Sequence, residues 1–166
     1  MDCFKELIAE YEREIVTTRK MLDAIPADAD LSYKPHPKSM SLGRLAAHLA
    51  ETSGEWAVST LAKEKVEISM KEFKPWIPAT KAEILEKLDK GTAEVKDLLA
   101  GFKPEQWNER WKFIGDGQAW VDDPKFRVWR NWVMNHMIHH RAQLGVYLRL
   151  LDAPIPGTYG PSADGM

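Results

Sequence analysis

The sequence predicts an all-α fold, specifically a four-helix bundle. Apolar residues recur at three-to-four spacing over four long segments, which places them on one face of a helix. Prolines gather in the stretches between those segments. No useful length alternates with period two, the pattern of a half-buried strand. A lone amphipathic helix cannot bury its stripe, so such segments must pack against one another around a shared core.

The first helix is expected over about residues 2–25, where Phe4, Leu7, Ile8, Tyr11, Ile15, Met21, Leu22 and Ile25 form the apolar stripe. Pro26 stops it, and Pro35 and Pro37 keep the following stretch out of long helix. Ser41 is a natural N-cap for a second helix over about 42–64, with Leu42, Leu45, Leu49 and Trp56 on its apolar face. Pro75 and Pro78 interrupt the pattern again. Thr80-Lys81-Ala82-Glu83 has the form of a capping box and opens a third helix over about 81–100, with Gly101 suited to its C-terminal end. Pro104 to Trp111 suits a short helix, and the stretch from Phe113 to Asp122, with Gly115 and Gly117, an irregular segment or a small hairpin. Asp123-Pro124 reads as an N-cap followed by proline at the first helical position, opening a fourth helix over about 124–151. The tail from Ala153 is rich in Pro and Gly. The length of 166 residues suits one domain, 1–166, with a core large enough to need no staples.

Composition narrows the function classes. A hydrophobic share of 44% beside 29% charged residues describes a globular chain. The net charge of −2 lacks the basic footprint of a nucleic-acid binder. No apolar run approaches the roughly 18 residues that would span a bilayer. The lone Cys3 cannot form an internal disulfide, which fits a cytoplasmic protein. Seven tryptophans are heavy usage, and their bulk and N–H groups suit the lining of a cavity.

The residues that point to chemistry are histidines. Three of the five in the chain fall in Asn135-His136-Met137-Ile138-His139-His140-Arg141. On a helical wheel Phe126, Trp129, Val133, Met137, Leu144, Tyr147, Leu148 and Leu151 form one apolar arc. His136 and His140, one turn apart, face that arc, while His139 falls on the flank. A His-x-x-His reading through His136 and His139 stays open on spacing alone. Buried imidazoles are costly unless satisfied, and a divalent metal satisfies a pair at this spacing. Two imidazoles leave the coordination shell incomplete. His48 sits beside the apolar arc of the second helix, where bundle packing can bring it to the pair. Three neutral nitrogens leave positions for water or substrate, and Zn²⁺, Ni²⁺, Fe²⁺ or Mn²⁺ would each suit them. The bland alternatives are a satisfied boundary histidine at His48 and plain packing for the i,i+4 pair. His36, between two prolines, reads as a surface residue.

Ser41-Leu42-Gly43-Arg44-Leu45-Ala46-Ala47-His48-Leu49 and the stretch from Asn135 through Arg149 resemble the DinB family, also termed DinB/YfiT-like, which the likeness marks as a family of metalloenzymes. The tail Pro154-Ile155-Pro156-Gly157-Thr158-Tyr159-Gly160-Pro161 resembles that family's ending, so the likeness covers nearly the whole chain. It implies an up-down-down-up bundle, a homodimer, and a divalent metal held by His48, His136 and His140. It also implies a metal-dependent transferase, since relatives include enzymes that join a low-molecular-weight thiol to a small-molecule substrate. A metal-dependent hydrolase and a non-catalytic metal- or ligand-binding protein are the alternatives. Glu51, Thr52 and Glu55, one or two turns beyond His48, are candidates for supporting or substrate contacts, or a solvated helix edge. Gln143 and Arg141 follow the ligand helix, Arg141 as a structural ion pair. Val16, Ile138 and Val146 are spare apolar residues for an interface.

Overall fold

The computed structural model describes residues 3–165. Helix α1 is Cys3–Asp23, two residues shorter at its end than expected, and the expected first residue, Asp2, lies outside the described residues. The Pro26–Met40 connection folds back so that the Tyr33 and Leu31 carbonyls accept from the backbone N–H groups of Leu42 and Gly43. Ser41 then caps α2, Leu42–Ser53, by accepting from the Arg44 N–H at 3.2 Å.

The second helix is broken where the periodicity ran on. α2 ends at Gly54, and a separate helix α3 spans Glu55–Ala62. The reason is a close backbone approach. A Cβ on Gly54 would stand 2.9 Å from the Gly91 Cα, and one on Gly91 only 2.8 Å from the Gly54 Cα. Gly91 lies in helix α4, Lys81–Ala100, whose bounds are those expected from the sequence. Thr80 caps it by accepting from the Glu83 N–H, while the Glu83 carboxylate reaches back to the Ala79 N–H. Gly101 caps the other end at φ −105°, so it is not in the left-handed region.

The fold is not purely all-α. Strand β1, Lys65–Ile68, pairs in parallel with β2, Arg110–Gly115, which pairs antiparallel with β3, Gln118–Pro124. The hairpin turn is Asp116-Gly117, with φ of 48° and 80°, a pair of positive values that a two-residue turn between twisted strands requires. On β2, Trp111, Phe113 and Gly115 face inward and Arg110 and Lys112 outward, which is period two. The strands are too short for that alternation to stand out in the sequence.

The fourth helical segment is composite. β3 runs through Pro124, so the helix opens one residue later than Asp123-Pro124 implied. Helix α5 is Lys125–Val128, a π-helical stretch covers Trp129–Asn135, and α6 is His136–Leu150. α2 packs against α4 and α6, and α1 packs against the same two helices.

The main core lies among these helices and includes Leu22, Leu45, Leu49, Ile84, Leu88, Met137 and Leu144. A second cluster of Trp111, Phe113, Val121 and Val128 joins the sheet to the helices, with Trp56 and Trp132 packed on it. Tryptophan use differs from the expected cavity lining: Trp107, Trp111 and Trp129 are fully buried. The Trp111 indole N–H donates to the Ser59 carbonyl at 3.1 Å. No helix among the described residues is long and apolar enough to cross a membrane.

Candidate metal centre

α2 and α6 carry the three histidines to one point. His136 and His140 begin α6, and the i,i+4 spacing stacks their rings 4.6 Å apart between centroids. His48, in the middle of α2, meets both, at 5.0 Å from His136 and 4.5 Å from His140. The ligand-capable atoms of all three lie within 4.8 Å of one another. His139 is exposed and stands outside the cluster, with its ring 4.9 Å from that of His140. His36 is exposed and its Nδ1 accepts from the Lys38 N–H.

The donor set suits a divalent ion. Four nitrogens at roughly 2.0–2.1 Å from a tetrahedral zinc lie roughly 3.3 Å from one another. The Nε2 atoms of His48 and His136 are 3.3 Å apart. His136 and His140 also present lone pairs at neutral pH. Burial, reinforced by the nearby His48, pushes the His136 pKa down to about 4. Burial also pushes His140 down to about 4, with the other histidines adding to the effect and Gln143 opposing it.

Each ring is held from behind. The His140 Nδ1 lies 2.8 Å from the Gln143 Oε1, an acceptor that fixes a proton on Nδ1 and turns Nε2 toward the cluster. The His136 ring hydrogen-bonds the backbone of Trp132, within the π-helical stretch. His48 has two neighbours on Nδ1: the Arg44 Nη2 at 3.3 Å and the Glu51 Oε2 at 3.6 Å. Arg44 and Glu51 pair with each other at 2.8 Å, both mostly buried. Burial works to raise the Glu51 pKa, but the neighbouring His48 and Arg44 outweigh it and hold the carboxyl below its ordinary value.

Of the supporting residues considered from the sequence, Glu51 and Gln143 touch the histidines. Thr52 is buried with its hydroxyl donating to the His48 carbonyl, and Glu55 pairs with Lys87 instead. Arg141 is a structural ion pair, 2.6 Å from Glu14 and also bonded to Thr18 and the Tyr159 hydroxyl. Arg44 and Trp132 are additions from the structure. Arg44 was legible in principle, because Arg44, His48 and Glu51 fall at i, i+4 and i+7 on one helix face.

Comparison with known proteins follows the same lines. No curated protein matches the chain. A DinB-like protein from Bacillus cereus ATCC 10987 is 25% identical, with a TM-score of 0.73 over 93% of this chain and 97% of its own. A DinB-like protein from Bacillus subtilis shares the fold at 18% identity and a TM-score of 0.65, covering 97% of this chain and 99% of its own. A DinB-family candidate from Exiguobacterium sibiricum 255-15 does so at 21% and 0.61, covering 99% and 97%. The sequence profile of the DinB family matches residues 1–166, the full span that carries the helices and the three histidines, and the chain belongs to that family.

Proposed function

We propose that this chain is a metal-dependent enzyme in which His48, His136 and His140 hold one divalent ion, and that it joins a low-molecular-weight thiol to an electrophile. The convergence of three imidazoles, each held on its far side, is the observation that carries this reading. Zn²⁺, Ni²⁺, Fe²⁺ and Mn²⁺ all suit an all-imidazole set. A bound divalent ion supplies the Lewis acidity that favours a thiolate over a thiol at neutral pH. The chain's part is to orient the three nitrogens and to hold those of His136 and His140 unprotonated. In the reaction a sulfur–carbon bond forms and the electrophile's carbon–oxygen or carbon–halogen bond breaks; the thiol proton ends on the opened epoxide's oxygen, or passes to solvent as the halide departs.

Hydrolysis is the weaker alternative, because it needs a carboxylate base facing the reacting water. Glu51, the acid nearest the cluster, sits behind the His48 ring and is engaged by Arg44. We further propose a cytoplasmic homodimer with the up-down-down-up order of its family. Val16 and Val146, 56% and 59% exposed on α1 and α6, are the apolar residues available to the interface.

The test of the activity is thiol consumption by metal-loaded protein across a panel of small thiols, with an epoxide or a haloaromatic compound as acceptor. Turnover is expected to vanish with chelator, return with metal, and be absent in His136→Ala. No turnover across the panel, with metal occupancy verified, would overturn the transferase reading.

A further inference from the structure

We propose that Arg44 and Glu51 form a tautomer selector for His48: Arg44 favours the metal-free form of the ring and Glu51 the ligating form. The inference rests on the three-histidine metal reading and adds to it the device that loads the site. A neutral imidazole carries one N–H and one lone pair, so the partner of one nitrogen decides what the other can do. The Arg44 guanidinium offers only hydrogens, and its Nη2 at 3.3 Å suits a lone pair on the His48 Nδ1. That places the His48 proton on Nε2, where it can donate to the His136 Nε2 at 3.3 Å. His136 completes the chain by bonding the backbone of Trp132 with its ring.

A ring in that state cannot coordinate through Nε2. Ligation requires the lone pair on Nε2 and the proton on Nδ1, and the Nδ1 proton then needs an acceptor. Glu51 is that acceptor, with its Oε2 already 3.6 Å from Nδ1. A small closure of this carboxylate completes a carboxylate–histidine pairing, the kind of outer contact that fixes a ligand's tautomer and raises its basicity. The arrangement of the guanidinium agrees with a shared role. Its Nη2 serves both His48 and Glu51, while Nη1 is buried without a hydrogen-bond partner, so Arg44 does not grip Glu51 with both arms of its fork. Gln143 meets the His140 Nδ1 at 2.8 Å with its carbonyl oxygen, a contact that suits the ligating form of that ring. His48 differs in having an obligate donor, Arg44, and an obligate acceptor, Glu51, both beside its Nδ1.

The experiment is nitrogen-15 NMR of the histidine rings together with zinc titration. In wild-type protein without metal, His48 is expected to carry its proton on Nε2 and to move it to Nδ1 as zinc is added. Glu51→Ala is expected to weaken zinc binding about 10–100-fold. Glu51→Gln, which keeps the shape and one acceptor oxygen, is expected to lose less. Arg44→Met is expected to bind zinc at least as tightly as wild type and to carry more Nδ1–H in its metal-free form. If the pair were only a structural clamp, removing either partner would weaken zinc binding alike, and that result would overturn the selector. So would an Nδ1–H signal for His48 in the metal-free wild type. Failure of the metal reading itself has a different signature: the wild type would not bind zinc at all. The wild-type spectra keep the test decisive if a variant does not fold.

Discussion

At the residue scale, the histidines were the most legible feature of the chain and their supports the least. The i,i+4 spacing of His136 and His140 follows from helix geometry, but their distance from His48 depends on how α2 lies on α6. The depressed pKa values give a signed prediction. An unfolded histidine titrates near about 6.5, whereas His136 and His140 in the folded chain titrate at about 4. Between those values the unfolded state binds more protons, so stability of the metal-free protein rises with pH through that window. It is fully present above about pH 6.5 and is lost as the pH falls toward 4. Urea midpoints of chelator-treated protein at several pH values check this, with a flatter profile expected for His136→Ala. An unchanged slope in that variant contradicts the assignment. Arg141 provides a second prediction, because it is 2% exposed and joined to Glu14, Thr18 and Tyr159. Arg141→Ala leaves Glu14 buried without its partner and is expected to cost about 3–5 kcal/mol in unfolding free energy. A loss below about 1 kcal/mol would place the pair among weak surface contacts.

At the scale of elements, what the sequence hid was set by partners distant in the chain. Helix α4 was readable at both ends because Thr80, Glu83 and Gly101 act locally. The break at Gly54 was not, since its cause, Gly91, lies on another helix. Gly91→Ala separates the two effects. Alanine is intrinsically the better helix former by about 1 kcal/mol, but its Cβ would stand 2.8 Å from the backbone of Gly54. Backbone cannot swing aside as a side chain can, so the clash wins, and the net change is expected to be a destabilisation of about 1–3 kcal/mol. A raised melting temperature would contradict the close-approach account. The π-helical stretch Trp129–Asn135 was equally invisible, for its hydrogen-bond register leaves no mark in the apolar pattern. The wheel still placed His136 and His140 on one face, because the stretch that holds them, α6, is regular α-helix. The hairpin was half legible: Asp116-Gly117 is a strong turn signal, but parallel pairing of β1 with β2 joins segments far apart in the chain.

At the scale of the molecule, the bundle brings α2 and α6 together, and the site exists only because of that packing. The tail belongs to the same framework, with Tyr159 bonded to Glu14 and Arg141, and Asp164 to Arg149. The proposed dimer predicts a sedimentation mass of twice the 19.0 kDa chain, falling to a single chain when Val16 and Val146 are both replaced by glutamate. A monomeric wild type would remove that part of the proposal and leave the metal centre untouched. The central claim is that three histidines from two helices hold one metal ion. Elemental analysis of purified protein tests it most directly, beside His48→Ala, His136→Ala and His140→Ala, with His139→Ala as control. The account predicts about one divalent ion per wild-type chain and per His139→Ala chain, with most of it lost from each of the other three. Metal absent from wild type under metal-replete conditions, or retained in full by His48→Ala and His136→Ala, would contradict it.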